Sequence, residues 1–393
     1  MFKSFLMNEI TKIPDQEHKK RLLSLDALRG FDMFWIIGGG ALIEGLAKCF
    51  PTTWLKLFAG QMEHAVWAGF HFEDLIFPLF MFISGATIPF AVLSKLENGR
   101  SKKQVILKIA GRMFILIFLG IIFNGILRDG FSNARYASVL GQIGISYFIA
   151  SLIVIYTRSI RTQLFWLSGL LVCYSAVQLL IPVPGIGAGI LTPSGCINAY
   201  IDRLFLPGRL AYGADAEMVA GNGVFDALGL LCIISATGVT LMGYFAGRVL
   251  LEKDSSQQKK LRILVATGIG LVVLSLCISP FYPVIKKCWT TTYNLLSGGI
   301  SFLLIALFYL IIDVRGYKKW TLFFRVIGLN SIFIYLLVVG NLLNINSTTT
   351  SLIGWIINPL GVNAGQLVLT LGNLILAWLL LYFMYRKNIF IKV

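Results

Sequence analysis

Charge is what this sequence has least of: Asp, Glu, Lys and Arg make up 13% of its 393 residues, against about 25% in a typical soluble domain. With 57% of the chain hydrophobic, that shortage excludes an ordinary water-soluble fold. The six cysteines show no CxxC or Cys/His spacing, so no metal site is expected. A glycine-rich phosphate loop of the soluble type is missing as well. The first 27 residues are polar and lack an apolar stretch, which argues against a cleavable signal peptide. Neither a soluble appendage nor a repeat is evident. The expected organisation is a cytoplasmic tail over 1–27 and a single transmembrane domain over 28–393.

What is abundant is apolar runs near the ~20 residues that cross a bilayer as a helix. They fall at roughly 28–48, 72–93, 108–127, 138–157, 163–183, 225–251, 259–281, 293–313, 322–343 and 365–385. The fold class is therefore all-α, a polytopic bundle of about ten transmembrane helices. The stretch 351–361, with Pro359 and Gly361, is too short to span and reads as re-entrant or interfacial. Pro78 and Pro89 lie inside the second run, where each removes a backbone donor, so that helix is expected to kink and to line a cavity.

A net charge of +16 suggests nucleic acid, but the basic residues are distributed as topology signals. With ten spans, one face takes Lys3, Lys12, Lys19, Lys20 and Arg21, the basic 94–112 stretch, and the clusters around 158–161, 248–262, 315–325 and 386–392. The other face holds Lys48, Lys56, Arg128, Arg135, Arg203, Arg209, Lys286 and Lys287. The positive-inside rule places both termini in the cytoplasm. The surplus charge thus meets lipid headgroups, and nucleic acid is not an expected partner. Cys173, Cys232 and Cys277 fall in spans, whereas Cys49, Cys196 and Cys288 fall on the outer side. Cys196 and Cys288 could form a disulfide there, with unpaired thiols the simpler expectation. The longest loop, 184–224, is also on the outer side; it either covers a site or merely connects helices.

Several polar residues are out of place in so apolar a chain. Asp26 and Arg29 lie three apart on one helical face, consistent with an ion pair at the start of a helix that Ser24 would cap. Asp32, a turn deeper, must face protein or a wet cavity. His64, His71, Glu73 and Asp74 crowd the mouth of the second span beside Trp67, Phe70 and Phe72. Interfacial aromatics and a helix-start preference for acids explain part of this density; a functional site explains the rest. Along a straight helix, His64 and Asp74 would be about 15 Å apart. Pairing needs a turn, with Gly69 the expected place. Arg112, Asp226, Lys286, Lys287, Asn330 and Ser331 are further candidates. The two lysines lie on the face disfavoured for cations, where an anionic substrate, a carbonyl oxygen or lipid headgroups would each account for them.

In order along the chain, RLLSLDALRG, HAVWAGFHFEDLIFPLFMFISG, KIAGRMF, VLGQIGISYF, FDALGLL with MGYFAGRVL, YPVIKKCWTTTYNLLSGGISFLLIALFYLIIDVRGYKKW and GLNSIFIYLL run from about residue 21 to 340. This ordered set resembles the transmembrane part of the heparan-α-glucosaminide N-acetyltransferase family and its bacterial relatives. The resemblance implies a transmembrane acyltransferase moving acetyl from cytosolic acetyl-CoA to an amino-sugar amine across a bacterial inner membrane, as a bacterial relative lacking the luminal domain. It assigns His64 as the catalytic histidine and Asp74 as the aspartate of the DLxFP motif; Asp26 and Pro78 are expected to be structural from the ion pair and the missing backbone donor noted above. It also allows a homodimer. WIIGGGALIEG replaces the family's Asn-Tyr-Gly-Gly stretch, and Gln142 stands where arginine is usual; both departures bear on the acceptor.

Acetyl transfer to an amine needs a neutral amine, a base and donors for the oxyanion. His64 suits the base, or could carry acetyl covalently. Asp74 or Glu73 would orient it. Substrate candidates are Glu73, His71, Asp226, Lys286, Lys287, Trp289, Asn330 and Ser331. The polyanionic coenzyme would meet Arg29, Lys108 and Arg112 on the cytoplasmic side. A hydroxyl acceptor on an envelope polysaccharide, or a sugar or sugar-lipid transporter, are the alternatives.

Overall fold

The computed structural model describes residues 22–219, 221–340 and 344–391. Residues up to Arg21, with their share of the basic face, and Lys392 lie outside these. The described residues are helical with only isolated β-bridges, which bears out the all-α expectation. Among them, nine helices are long and apolar enough to cross a membrane: Leu23–Cys49, Phe72–Glu97, Lys102–Phe123, Val139–Tyr156, Ile160–Leu180, Leu230–Leu251, Gln257–Ile278, Thr291–Val314 and Val362–Arg386. A tenth is reached if the pair Thr321–Leu329 and Ser331–Val338 counts as one span. This is a multi-pass membrane protein.

Local chemistry sets many of these boundaries. Ser101, Ser138 and Ser256 each accept the backbone N–H three residues on and so start a helix. The first helix departs from expectation, since Leu22 occupies the capping position and Ser24 lies buried within the first turn. The kink expected at Pro89 is present as a break at Thr87 followed by π-helical turns over Pro89–Leu93. The straight span expected over 322–343 is instead bent by 76°. Ile345–Ile357, with 13 residues, is short of a bilayer's width; the short segment expected over 351–361 is the end of this helix and the turn before Val362–Arg386.

The chain forms two compact units. One comprises the described residues to 64, with 71–76 and the described residues from 304 on. Its first helix packs so tightly on Thr321–Leu329 that a β-carbon on Gly30 would lie 1.7 Å from the carbonyl oxygen of Phe324. Around that contact Phe31, Phe34, Trp35, Phe308 and Phe324 interlock edge to face.

The other unit comprises 65–70 and 77–303. Leu230–Leu251 runs through it largely buried, packed on Val139–Tyr156 and Ile160–Leu180. Backbones meet without intervening side chains, because β-carbons on Gly243 and Gly247 would fall 1.9 and 2.2 Å from the carbonyl oxygens of Phe82 and Ala86. The long loop contains the helix Ile197–Phe205. Its Cys196 and Ala199 pack with Phe225, Ile285 and Cys288 from beyond it, and Asp202 in the helix and Asp226 after the loop are both buried.

Candidate active site

The first unit holds a hydrogen-bonded histidine and carboxylate. The helix Thr53–Gly60 ends at Gln61, and the chain then runs without helix until Phe72. Gly69 turns it with φ of +129°, a conformation that suits glycine. This return brings Nδ1 of His64 within 2.9 Å of Oδ1 of Asp74. The Asp74 side chain is completely buried, and that of His64 is 50% exposed. Oδ2 of Asp74 accepts the backbone N–H of His71 at 3.0 Å. Both carboxylate oxygens are thereby engaged, one aiming the imidazole and one closing the first turn of the helix. An Nδ1–H donated to this carboxylate fixes the tautomer whose lone pair is on Nε2.

Gln61 organises the turn, a role that its sequence position did not signal. Its side-chain oxygen accepts the N–H of Phe72 at 3.2 Å, and its backbone carbonyl accepts that of Glu73 at 3.0 Å. The imidazole of His71 lies 2.8 Å from the carbonyl of Glu63, again within the turn. His71 therefore serves the loop that holds the dyad, whereas Glu73 is half-buried on the following turn.

Asp32 lies in the same unit. It is fully buried, and neither of its oxygens has a hydrogen-bond partner among the described residues. Nor does the indole N–H of Trp35. A π-helical segment, Trp35–Gly39, follows immediately, a feature frequent at functional sites. The same stretch meets Glu73: Trp35 packs edge to face on Phe72, and a β-carbon on Gly40 would lie 3.9 Å from Oε2 of Glu73. Asp32 was visible in the sequence as an intramembrane acid, but its lack of a hydrogen-bond partner among the described residues was not. Asp26 and Arg29, in this unit too, form the expected ion pair at 3.7 Å. Asn330 bridges to the C-terminal segment, donating to the carbonyl of Ile389 and accepting from the N–H of Ile391. Ser331 begins the helix beyond the bend.

The remaining candidates lie in the second unit. Asp226 is buried in a two-pronged pair with Arg135, both contacts at 2.7 Å. Lys287 donates through Nζ to the carbonyls of Val66 and Ala216 and lies over the ring of Tyr212. Lys286 is half-buried beside it. Trp289 is core: 1% exposed, edge-on to Phe77 and Tyr293, its carbonyl accepting from Ser235. Pro78 sits inside its helix as expected. Arg112 lies over the ring of Tyr147 at 4.9 Å, with a buried Nε that has no hydrogen-bond partner, and Lys108, one turn away on the same helix, is exposed. Gln142 donates to the carbonyl of Cys232, and its own oxygen is buried without a partner. Cys196 and Cys288 are unpaired thiols with sulfurs 3.8 Å apart.

Comparison with known proteins places this geometry in context. The human heparan-alpha-glucosaminide N-acetyltransferase (Homo sapiens) is 28% identical over 95% of this chain and 60% of its own length. The chain is similar to that acetyltransferase along nearly its whole length. The mouse protein of the same name (Mus musculus) is 27% identical over 70% of this chain and 48% of its own length. This chain thus spans about half to three fifths of the curated relatives it matches. A family model described as a domain of unknown function, DUF5009, matches residues 21–169, which include His64, Asp74 and Asp32. The resemblance read from the motifs is borne out.

Proposed function

We propose that this protein is an acyltransferase of the bacterial inner membrane, with both termini cytoplasmic, that passes acetyl from cytosolic acetyl-CoA to an amino-sugar amine on the outer side. The observation that carries this reading is the His64–Asp74 hydrogen bond, a buried carboxylate aiming a half-exposed imidazole. Similarity to the human and mouse N-acetyltransferases supports it.

The residues divide the work by charge. At neutral pH an amino sugar arrives as an ammonium ion, which cannot attack a carbonyl. Glu73, half-exposed, would receive that cation. One proton passes from the ammonium to a carboxylate, which frees the nitrogen lone pair. The nitrogen then bonds to the acetyl carbon as the thioester C–S bond breaks; its second proton goes to Nε2 of His64, Asp74 stabilises the imidazolium, and the imidazolium passes that proton to the departing coenzyme A thiolate. Acetyl-CoA supplies the thioester acetyl group. The partnerless Nε of Arg112 and the exposed Lys108 fit its phosphates.

The test incubates membranes carrying wild-type protein or His64→Ala with radiolabelled acetyl-CoA and a panel of amino sugars. Label in an amino sugar with wild type, lost in the variant, supports the reading. Equal transfer by both removes His64 from the chemistry. Label confined to hydroxyl acceptors redirects the reading to O-acylation, and sugar uptake without acetylation to transport.

A further inference from the structure

Eight lysines and arginines fall on the face that the charge distribution leaves poor in cations, and the structure accounts for several by contacts within the fold. Lys287 spends its ammonium on the carbonyls of Val66 and Ala216. Arg203 donates to the carbonyls of Ser194 and Val224. Three others, Arg128, Arg135 and Arg209, line one cavity of about 230 Å³ in the second unit, with Asn124 and Gly125 on its wall. Such a volume is several times the ~30 Å³ share of a water molecule and admits a phosphate group or the carboxylate end of a sugar.

The charges around the cavity do not cancel. Arg128 is held by Asp129 in an exposed two-pronged pair, and Arg135 by Asp226 in a buried one. These two acids offset two of the three cations. Arg209 makes no salt bridge among the described residues, and its Nε is buried with no hydrogen-bond partner. Its backbone is fixed, because its N–H donates to the carbonyl of Ala134 at 3.1 Å. Asn124 tethers the same wall by donating to the carbonyls of Arg135 and Ala137. A desolvated guanidinium N–H without an acceptor is costly, and a planar oxoanion is the group that best matches its fork.

We propose that this cavity is an oxoanion-binding site, taking a carboxylate or phosphate group with Arg209 as its principal ligand. The assignment is independent of acetyl transfer. The shared chemistry has three sources: a free inorganic anion, a phospholipid headgroup and an acidic saccharide.

The full-length protein, purified in a neutral maltoside detergent, is titrated with inorganic phosphate and with an oligogalacturonate at constant ionic strength, and thermal unfolding is followed. In parallel it is placed in nanodiscs of phosphatidylcholine with and without phosphatidylglycerol. A saturable rise in melting temperature with any one probe supports the site, and which probe acts identifies the source. Arg209→Gln is expected to weaken that response by about tenfold or more. Arg128→Gln at the exposed rim should weaken it less, and Lys56→Gln, an exposed lysine outside the cavity, should leave it unchanged. Where Arg209→Gln does not fold, Arg209→Lys keeps the charge but not the fork and should still weaken binding. No saturable response to any probe, or a wild-type response from the Arg209 variant that folds, overturns the proposal.

Discussion

His64 and Asp74, ten residues apart in sequence, meet through a 2.9 Å contact between Nδ1 and Oδ1. Replacing Asp74 by Asn keeps the shape but presents an amide N–H or a weaker acceptor to the imidazole, and so favours the wrong tautomer. Acetyl transfer should fall about 10²–10⁴-fold in His64→Ala, and substantially in Asp74→Asn. Initial rates against pH decide the role: a base requires the ascending limb near neutrality to vanish in His64→Ala. An unchanged profile would remove His64 from proton transfer.

Glu73 is assigned to the ammonium form of the acceptor. Glu73→Gln should raise KM for the amino sugar, by about tenfold for the loss of one charge-assisted contact. KM for acetyl-CoA should stay as in wild type. If both constants rise together, Glu73 supports the fold and not the acceptor.

The Arg135–Asp226 pair is held at 2.7 Å twice over, with Asp226 fully buried. Removing one partner strands the other's charge, so Arg135→Ala or Asp226→Ala should cost about 3–5 kcal/mol. Thermal unfolding in detergent measures it. The double variant should cost less than the sum of the singles.

Asp202 accepts the N–H groups of Asp226 and Leu230 and so anchors the start of the helix at Leu230. Burial pushes its carboxyl up to about 7, helped by the charge of Asp226 and opposed by those two amides and by Arg203. The folded protein therefore keeps a proton that the unfolded chain, near 3.8, has released. Its contribution to stability is complete below about pH 4 and is lost as pH rises through about 7. Melting temperatures over that range should carry this downward trend, and Asp202→Asn should flatten it. An identical slope in the variant assigns the trend to other groups.

Gly243 lies where a β-carbon would be 1.9 Å from the carbonyl oxygen of Phe82. Gly243→Ala must force two helix backbones apart, at a cost of at least about 1–3 kcal/mol. Gly270, where an added β-carbon would meet nothing within 4 Å, is the control: Gly270→Ala should leave the melting temperature unchanged or raise it.

The spans, the kink at Pro89 and the need for a turn at Gly69 were legible in the sequence because each follows from local physics: bilayer width, a missing backbone donor, a residue tolerant of positive φ. Motif order alone carried the likeness to the N-acetyltransferases, and with it His64 and Asp74. Their distance was not legible, since a straight helix would have kept them about 15 Å apart. Only the folded turn, held by Gln61, closes that gap.

Long-range pairing decided the rest. Asp226, Lys287 and Asn330 were candidates from sequence, but their partners were not legible: Asp226 pairs with Arg135, 91 residues away, and Lys287 with carbonyls 221 and 71 residues away. Asn330, at a 76° bend, bonds to the C-terminal segment. The sequence by itself determined how many times the chain can cross a membrane and which histidine to watch, because hydropathy and motif spacing are local. Which charges are spent within the fold, and that Asp32 and Arg209 are left with unsatisfied atoms, only the tertiary structure decided, because the partner of a buried charge is set by packing between segments far apart in the chain.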